Sequence, residues 1–513
     1  MVDPREYHER TKHSPASLRN DSFSLDFDTK PRPYKLYEDL PRVSASTASP
    51  PSSPETPVLE AIATATAEPD SGAAPDGTPP EASFDATDLQ TLCHYATGVT
   101  KELERGGRRV RFRAAACTGK LYHVDLYAVA GDLGAIGPGV YHFDPDSGSF
   151  DVLREGDYRG VLARAAADHE AVATAPVTFV ATSEWWRNAW KYRERTYRHA
   201  FWDSGTVLAN LLAVAHGTGR RASVVAGFAD GPVARLLGVD PETEAPLELV
   251  PVGAGDPVPP DRSVEVIDPV VVPPSAERVD YPLVPDAWRQ STLDDAGVVR
   301  AWRRRVASTE EFGTHGRGDG ETVALDPVDA ETASSRPVGT TIERRGSLRE
   351  YSHEPISRRK FATVLDRALR GVPTDCSVPQ LLDCYCLVHG VEGVPSGAYQ
   401  YHPAANVLER VGETSRRTAG RLALDQSVVG DAAVNVYLVA DVGAIVEHAG
   451  NRGYRLAQLA GGVGLGRLYL ATYAHRVLGG RGFTFYDDLV TEHLSPRAAN
   501  GTPMTLFAFG KPA

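Results

Sequence analysis

"DLYAVAGDLGAIGPGVYHFDP" (residues 125–145) and "DCYCLVHGVEGVPSGAYQYHP" (residues 383–403) are two versions of one pattern. Each version predicts a strand, a turn and a second strand with alternating aromatic residues that ends near a proline. Matching positions lie 258 residues apart (385 − 127 = 258). This period is far longer than that of a solenoid repeat, so the pattern predicts a duplicated domain.

The same period, 257 or 258 residues, recurs in two further matches. They are Tyr197-Arg198 with Gly205 against Tyr454-Arg455 with Gly462, and "GFAD" (227–230) against "FYDD" (485–488). Strands and helices mixed around one long helix per copy predict an α+β sandwich, and two copies in one chain should pair around a pseudo-twofold axis as a pseudo-dimer. The predicted elements are helices at Leu89–Tyr95 and Phe361–Arg370, strands at 175–183 and 432–441, long helices at 190–217 and 453–476, and final strands at 247–253 and 504–510.

The linkers are predicted from composition. Residues 42–83 and about 307–340 are rich in Ser, Thr, Ala, Pro or Gly and poor in large apolar residues, so ordering them would cost more entropy than burial returns. The predicted organisation is an N-terminal arm (1–41), a disordered linker (42–83), a first domain (84–275), a linker (276–340) and a second domain (341–513).

Composition excludes several classes of function. A net charge of −13 over 513 residues argues against a nucleic-acid surface. Five scattered cysteines fit a reducing compartment and offer no metal-ligand spacing, so no metal site is predicted. No stretch approaches the roughly 18 apolar residues that a membrane helix needs, and the first residues lack a signal-peptide core. We therefore expect a soluble, cytoplasmic protein, and the acidic balance would suit either high salt (a halophilic protein) or an ordinary acidic protein.

Two stretches carry candidate chemistry. In "WKYRERTYRHAFWDSG" (190–205), Lys191, Arg195 and Arg198 would share one stripe of a continuous helix, so an anionic group should face them. In "IERRGSLREYSHEPISRRKF" (342–361), adjacent arginines and a Ser hydroxyl precede a helix. That turn is either a phosphate clamp or a solvated basic turn.

These stretches resemble a known family. "ERRGSLREYSHEPIS" (343–357) looks like the FMN-phosphate motif that opens nitroreductase-family domains. "WKYRERTYR" (190–198), "REYHERTKHSPASLR" (5–19) and "PRPYKLY" (31–37) resemble the SagB/ThcOx-type (McbC-like) dehydrogenase branch of that superfamily, and residues 464–488 are similar to its long helix and Gly-aromatic-acid turn. The resemblance covers nearly the whole chain apart from the linkers, and it implies two tandem nitroreductase-like domains.

The resemblance implies FMN between the two copies. The phosphate turn would be Arg344, Arg345, Ser347 and Arg349, and the facing loop (113–127) keeps Gly119, Leu121 and Tyr122 but has Ala116, Cys117 and His123 where the family differs. Backbone N–H groups of Thr118 and Gly119 would reach the flavin ring. Lys120 would be a flavin contact or solvated surface, and Lys511 would approach the phosphate or lie in a solvated tail.

The resemblance also implies roles for the cations of the first stretch. Lys191 would be the base or proton relay and Tyr192 its partner, while Arg195 and Arg198 would lower the pKa of Lys191 and stabilise reduced flavin. The alternative is that these cations pair with Asp or Glu across the domain interface, with Asp203 as one candidate.

The copies differ, since the first lacks the Arg-Arg-x-Ser turn and the second replaces Lys-Tyr by "NRGYR". We therefore expect one FMN per chain. The implied function is an FMN-dependent oxidoreductase acting on a small molecule or peptide, in the narrower version a SagB-type azoline dehydrogenase with a cyclodehydratase partner. The alternative is a non-catalytic flavin-binding or scaffold module. A further homo-oligomer of the whole chain stays open.

Overall fold

A computed structural model describes residues 2–45, 51–63, 83–307, 318–329, 336–371, 374–376 and 381–513. The helices are α1 (Pro4–Arg10), α2 (Pro15–Arg19), α3 (Val58–Ala61), α4 (Ala86–Thr97), α5 (Arg159–Ala165), α6 (Glu170–Thr174), α7 (Trp185–Tyr192), α8 (Thr196–Gly217), α9 (Asp230–Leu237), α10 (Leu283–Arg289), α11 (Ala296–Ala307), α12 (Val338–Arg344), α13 (Arg358–Ala368), α14 (Arg416–Leu422), α15 (Ser427–Asp431), α16 (Val442–Ala449), α17 (Asn451–Ala474) and α18 (Asp487–Leu494). The strands are β1 (Arg42–Val43), β2 (Val99–Arg105), β3 (Arg108–Arg113), β4 (Val124–Ala130), β5 (Gly139–Asp144), β6 (Ser149–Glu155), β7 (Val177–Glu184), β8 (Glu244–Val252), β9 (Thr322–Ala324), β10 (Asp383–Val388), β11 (Gly397–His402), β12 (Val407–Gly412), β13 (Val434–Ala440), β14 (Gly479–Phe483) and β15 (Thr502–Gly510).

Two antiparallel sheets carry the duplication. The first has the strand order β1-β6-β5-β4-β7-β8, and the second has β14-β15-β13-β10-β11-β12-β9. Both sheets contain the same run of strands, a hairpin (β4-β5 or β10-β11) next to a central strand (β7 or β13) and a final strand (β8 or β15). The hairpin register also agrees, since Tyr127 lies opposite His142 and Tyr385 lies opposite Gln400. The α+β fold class and the two sheet-containing bodies predicted from the repeat are therefore confirmed.

The two copies meet where α8 crosses α17. A Cβ atom added to Gly205 would collide with the backbone of Gly462 and Val463, so only glycine permits this approach. The rings of Tyr197 and Tyr454 stack beside the crossing, 6.3 Å apart and 11° from parallel. Both pairs are separated by 257 residues (462 − 205 = 257), so the crossing lies on the pseudo-twofold axis.

Two buried ion clusters flank the crossing. Asp487 accepts from Arg198 at 2.6 Å and from Arg195 at 3.2 Å. Asp230 accepts from Arg455 at 2.8 Å and from Arg452 at 2.6 Å. The two clusters occupy equivalent positions in the repeat, because Asp487 follows Asp230 by 257 residues (487 − 230 = 257). In each cluster the carboxylate belongs to one copy and its two arginines belong to the other.

Burial would raise the pKa of Asp487, but the charges of Arg195 and Arg198 outweigh burial and hold that pKa below its usual range. Arg195 and Arg198 therefore pair with a carboxylate across the domain interface, which was the alternative to their lowering the pKa of Lys191. The partner is Asp487 and not Asp203.

The N-terminal arm closes one cluster, and a segment of the predicted 276–340 linker closes the other. Arg198 donates to the Thr11 hydroxyl at 3.0 Å and to the His8 carbonyl at 2.6 Å. Arg455 makes the matching bonds to the Ser291 hydroxyl at 2.7 Å and to the Trp288 carbonyl at 2.8 Å. Ser291 lies 280 residues after Thr11 (291 − 11 = 280), so α10 is the second copy of α1. The duplication thus includes the arm.

The prediction of unstructured linkers is wrong for their described parts. Strand β1 pairs with β6, and α3 is buried against α8. In the segment predicted to be unstructured at about 307–340, β9 pairs with β12. The remainder of the predicted 276–340 linker contains α10 and α11, which pack into the core. The rest of these predictions, at 46–50, 64–82, 308–317 and 330–335, lies outside the described residues.

The predicted long helix at 190–217 is interrupted. Arg193 has φ +48°, which ends α7 at Tyr192, and a 3-10 turn (Arg193–Arg195) precedes α8. Lys191 consequently does not share a helical stripe with Arg195 and Arg198, and the like charges are separated. In the part of the chain that is described, no helix is both long and apolar enough to cross a membrane.

We predict that Gly205→Ala lowers the free energy of unfolding by about 1–3 kcal/mol, because the methyl group must displace backbone atoms of α17. Gly217→Ala, in the same helix, is the matched control, since its Cβ would first meet a Val338 methyl at 3.4 Å. Urea unfolding followed by circular dichroism measures both. Equal stabilities for the two variants would contradict the close crossing.

We predict that Asp487→Asn lowers the free energy of unfolding by about 3–5 kcal/mol, because it leaves two buried guanidinium groups without a counter-charge. The neighbouring Asp488, which is exposed and paired with Lys12 at 2.8 Å, is the control, and Asp488→Asn should cost about 1 kcal/mol or less. The pKa of Asp487 is depressed, so its stabilisation should be complete above the unfolded pKa of about 4 and should be lost as the pH falls below it. Unfolding free energies measured between neutral and acidic pH for wild type and variant check this sign.

Candidate functional site

Lys191 and Tyr192 form the C-terminal end of α7, next to the facing loop. Tyr192 packs on Gly119, whose φ of +61° and lack of a side chain admit the ring: an added Cβ would lie 2.9 Å from the Tyr192 hydroxyl oxygen. Leu121 joins Trp186, Ala189 and Trp190 in one small apolar cluster. The loop and α7 are therefore held as a unit, and Lys191 is half-buried beside it.

The pKa of Lys191 lies below its ordinary value. Burial is the main cause, and the charges of Arg481 and Lys30 add to it. Arg481 belongs to β14 of the second copy, whereas Lys30 belongs to the N-terminal arm. The lowered pKa that the sequence predicted is thus present, but its causes are different residues from those predicted.

The loop is anchored from below by Asp203. This buried carboxylate accepts from the Thr118 hydroxyl at 2.5 Å and from the Thr118 N–H at 3.0 Å. Cys117 donates to it at 3.0 Å, and the His123 Nε2 lies 2.9 Å from it. The Thr118 N–H is therefore already hydrogen-bonded to Asp203. Of the two residues predicted to contact the flavin ring, Thr118 and Gly119, only Gly119 is exposed.

Cys117 and His123, which differ from the family pattern, thus both bind the Asp203 carboxylate. The ligand atoms of these three residues lie within 4.8 Å of one another, a spacing that would also suit three metal ligands. Their mutual hydrogen bonds satisfy the carboxylate in the structure. The sequence suggests Asp203 only as an ion-pair partner. Its contact with Cys117 could not be predicted, because 86 residues separate the two positions.

Arg345 joins the phosphate turn to the facing loop. Its guanidinium donates to the carbonyls of Arg113 (3.0 Å), Ala114 (2.9 Å) and Ala115 (3.1 Å). The same guanidinium lies 5.7 Å from the centre of the Tyr469 ring. The Arg-Arg-x-Ser turn of the second copy and the loop of the first copy are consequently adjacent, as the resemblance requires.

The rest of the turn is open to solvent. Arg344, Ser347 and Arg349 are exposed, and Lys101 of β2 approaches from the first copy. Burial lowers the pKa of Lys101, and the charges of Arg345 and Arg344 lower it further. A concentrated positive charge with an exposed hydroxyl fits a phosphate group. Lys101 was missed from the sequence because nothing in a single strand reports what lies across the interface.

Strand β14 connects this turn to Lys191. Gly480 accepts from the Leu348 N–H at 3.3 Å, next to the turn. The Gly482 N–H donates to the Tyr469 hydroxyl at 2.7 Å. Arg481, between them, influences the pKa of both Lys191 and Tyr192. The predicted phosphate turn thus contacts β14 through Leu348, and the charge of Arg481 on the same strand acts on the predicted base.

The two remaining predicted contacts are engaged elsewhere. Lys511 pairs with Glu354 at 3.1 Å on the surface. The Lys120 ammonium lies 4.7 Å from the centre of the Phe112 ring. Arg195 and Arg198 are buried in the Asp487 cluster.

At the pseudo-symmetric counterpart of this site, the described part of the second-copy loop contacts the first copy directly. Asp375, which follows Cys117 by 258 residues (375 − 117 = 258), accepts from the N–H groups of Ala226 (2.8 Å) and Gly227 (2.9 Å). These amides lie 257 residues before Phe483 and Thr484, at the end of β14. Arg303 donates to the same carboxylate at 2.8 Å, and Val224 bridges to Thr374. The described loop residues 374–376 thus contact residues 224–227 directly.

The comparisons with known proteins agree with this architecture. Residues 112–254 match the model of the nitroreductase family. A candidate nitroreductase of Methanocaldococcus jannaschii is 27% identical over 166 residues, which cover 32% of this chain and 79% of the relative.

Two solved structures extend the comparison. The crystal structure of a candidate nitroreductase from Anabaena variabilis aligns over 100% of both chains with a TM-score of 0.76 and 23% identity. A chain of the Escherichia coli microcin synthetase McbBCD complex, solved with truncated pro-MccB17 bound, overlaps 50% of this chain and 88% of its own length at a TM-score of 0.30 and 19% identity. The whole-chain match shows the fold, and the family model covers the part that carries the loop, α7 and α8. The protein thus has a nitroreductase-like fold over its whole length, and its residues 112–254 match the model of the nitroreductase family.

Proposed function

We propose that this protein is an FMN-dependent oxidoreductase that holds one flavin between its two copies. The observation that carries the proposal is the Arg345 guanidinium, which binds three successive carbonyls of the first-copy loop and so brings the two halves of one site together. Arg344, Arg345, Ser347 and Lys101 would hold the phosphate. Gly119, Tyr192 and the β14 edge would contact the ring system.

One flavin per chain follows from the asymmetry of the two sites. In the sequence of the first copy no Arg-Arg-x-Ser turn precedes Leu89, so the first copy lacks the pair of arginines that the second copy offers to a phosphate. At the same counterpart site, Asp375 takes the amides of Ala226 and Gly227. The lack of a matching arginine pair and the hydrogen bonds of the Ala226 and Gly227 amides to Asp375 both argue against a second flavin.

The proposed chemistry is dehydrogenation next to Lys191. Bound FMN supplies a two-electron acceptor for the hydride of the substrate. Lys191 would remove the accompanying proton at its Nζ atom, and the low pKa of this group leaves more of it neutral than an ordinary lysine would be. Tyr192 holds the loop through Gly119 and would orient Lys191, whose ammonium lies 5.2 Å from the centre of the Tyr192 ring.

The narrower proposal is oxidation of an azoline to an azole in a modified peptide, by a SagB-type dehydrogenase that works beside a cyclodehydratase. It is supported by the Lys-Tyr pair and by the exposed side of Lys191. The competing function is a non-catalytic flavin-binding module, favoured by the Cys117, His123 and Thr118 contacts that tie the loop to Asp203. Flavin retained without turnover of any electron acceptor would support the module.

We expect the purified chain to carry oxidised flavin at about one per chain, read from its visible absorbance. Arg344→Ala should weaken flavin binding about tenfold or more, because a charge-assisted phosphate contact is worth about 1.5–3 kcal/mol. Arg345→Ala should weaken it further, since it also releases the loop. Arg417→Ala, an exposed arginine of α14, is the control and should keep full flavin content. Two flavins per chain, or unchanged binding in Arg344→Ala, would contradict the proposed site.

We expect Lys191→Ala to lower the oxidation rate of a thiazoline-containing test peptide by about 10²-fold or more while flavin stays bound. Lys191→Arg separates the two roles of this residue, because arginine keeps the charge but stays protonated. Loss of activity in both variants supports a base. Mass spectrometry detects the product by its loss of two hydrogen atoms. Full activity in Lys191→Arg would show that only the charge of this residue matters.

A further inference from the structure

One oxygen of the Asp203 carboxylate is surrounded by more polar groups than it can accept hydrogen bonds from. Its Oδ2 atom lies 2.5 Å from the Thr118 hydroxyl, 2.9 Å from the His123 Nε2 and 3.0 Å from the Cys117 Sγ. The Thr118 N–H is shared between both carboxylate oxygens, at 3.0 Å from each. Because a carboxylate oxygen offers about two lone-pair positions, four donors exceed its capacity.

Three of these side chains supply the ligand atoms that zinc prefers. The Cys117 sulfur, the His123 nitrogen and the Asp203 oxygen all lie within 4.8 Å of one another. In a tetrahedral zinc site with ordinary bond lengths, ligand atoms are about 3.3–3.6 Å apart. The two contacts to Oδ2, at 2.9 and 3.0 Å, need to widen by about half an ångström to admit the ion, which small side-chain rotations provide.

Neighbouring groups hold the imidazole and the sulfur in the orientation that a metal requires. The His123 Nδ1 lies 2.8 Å from the Ser183 hydroxyl, which fixes the ring with its Nε2 towards Asp203. Metal-bound histidines almost always have such a partner at the second ring nitrogen. The Tyr122 N–H donates to the Cys117 sulfur at 3.0 Å. This bond uses the sulfur as an acceptor, so it stabilises a thiolate.

The surroundings suit a cation of charge +2 with one open ligand position. A thiolate and a carboxylate together neutralise such a cation, and His123 and Asp203 are only 0% and 4% exposed. A cavity of about 10 Å³ borders Cys117 and Asp203, which is room for about one water molecule as the fourth ligand. Arg113 lines the same cavity, and its buried Nη2 has no hydrogen-bond partner among the described residues, so it can donate to that water.

We propose that Cys117, His123 and Asp203 form a binding site for a divalent cation of the zinc class. Sulfur and nitrogen ligands select zinc over magnesium and calcium, which prefer oxygen. Burial and the charge of Asp203 raise the pKa of the Cys117 thiol, so the cation must displace the thiol proton to solvent when it binds. The bound ion would fasten the facing loop to α8. This inference goes beyond the proposed function, because the binding needs no flavin.

The sequence predicted no metal site because its cysteines lack a recognisable ligand spacing. Cys117 and His123 are six residues apart, and Asp203 follows 80 residues later (203 − 123 = 80). Only the packing of the loop on α8 brings the three ligand atoms together.

The test is metal binding by the full-length chain, produced without a histidine tag and stripped of metal by a chelator. We expect calorimetric titration with Zn²⁺ to give one ion per chain. Co²⁺, which accepts the same ligands, should give the near-ultraviolet absorption band of a thiolate–cobalt bond. Cys117→Ser should abolish that band and weaken Zn²⁺ binding about 100-fold or more, and Ser183→Ala, which keeps all three ligands, should weaken it about tenfold.

Two control variants remove the same chemical groups from the second copy. Cys384→Ala removes a thiol from β10, and His353→Ala removes an exposed imidazole. Both should bind Zn²⁺ as the wild type does. Zn²⁺ should also raise the melting temperature of the wild type and of both controls but not that of Cys117→Ser, whose folding is checked by circular dichroism.

Two results would overturn the proposal. One is a wild type that shows no saturable uptake of Zn²⁺, which would leave the cluster as a hydrogen-bonded anchor of the loop. The other is unchanged Zn²⁺ affinity in Cys117→Ser, or a Co²⁺ complex without the thiolate band, which would place the ion elsewhere. Flavin content is measured in the same samples, so failure of the proposed flavin site and failure of the metal site are distinguishable.

Discussion

The contact between Gly205 and Gly462 is the constraint on which the rest of the structure depends. Because neither position carries a Cβ atom, α8 and α17 cross with their backbones in contact, and their flanking residues are merged into one hydrophobic core that includes both copies. A Cβ atom at Gly205 would lie 2.4 Å from the backbone of α17, so any larger residue must displace the facing helix. Arg345, which binds the carbonyls of residues 113–115 across the same interface, depends on this close approach.

The two halves have diverged unequally around this axis. The ion clusters at Asp487 and Asp230 are retained in both halves, down to the hydrogen bonds that the arm and α10 make to them. The proposed flavin site is present once. This difference has a physical reason: both clusters stabilise the shared interface, and losing either leaves buried charges unpaired, whereas a second site can be lost without cost to folding once Asp375 and Arg303 fill it.

The clusters also show why a stripe of cations could not be interpreted from the sequence. Arg195 and Arg198 have the spacing of a helical face, but Arg193 breaks the helix between them and Lys191. Their partner, Asp487, is almost 300 residues away in the chain. The repeat held the information in part, because each arginine pair and each acid recurs at the same spacing. The pairing between copies becomes visible only when the second copy is placed on the first.

The sequence by itself determined the duplication and the α+β class, and it supplied the predicted phosphate turn and the predicted pair Lys191 and Tyr192, because repeats and local motifs are properties of neighbouring residues. Tertiary structure alone decided which groups surround them: Asp203 under the loop, Lys101 beside the turn, Arg481 and Lys30 around Lys191, and Asp375 in the counterpart site. It also decided that α10 and α11 are part of the fold and not a linker. These are contacts between segments far apart in the chain, and their energies depend on distance, burial and charge after packing, none of which a single stretch of sequence encodes.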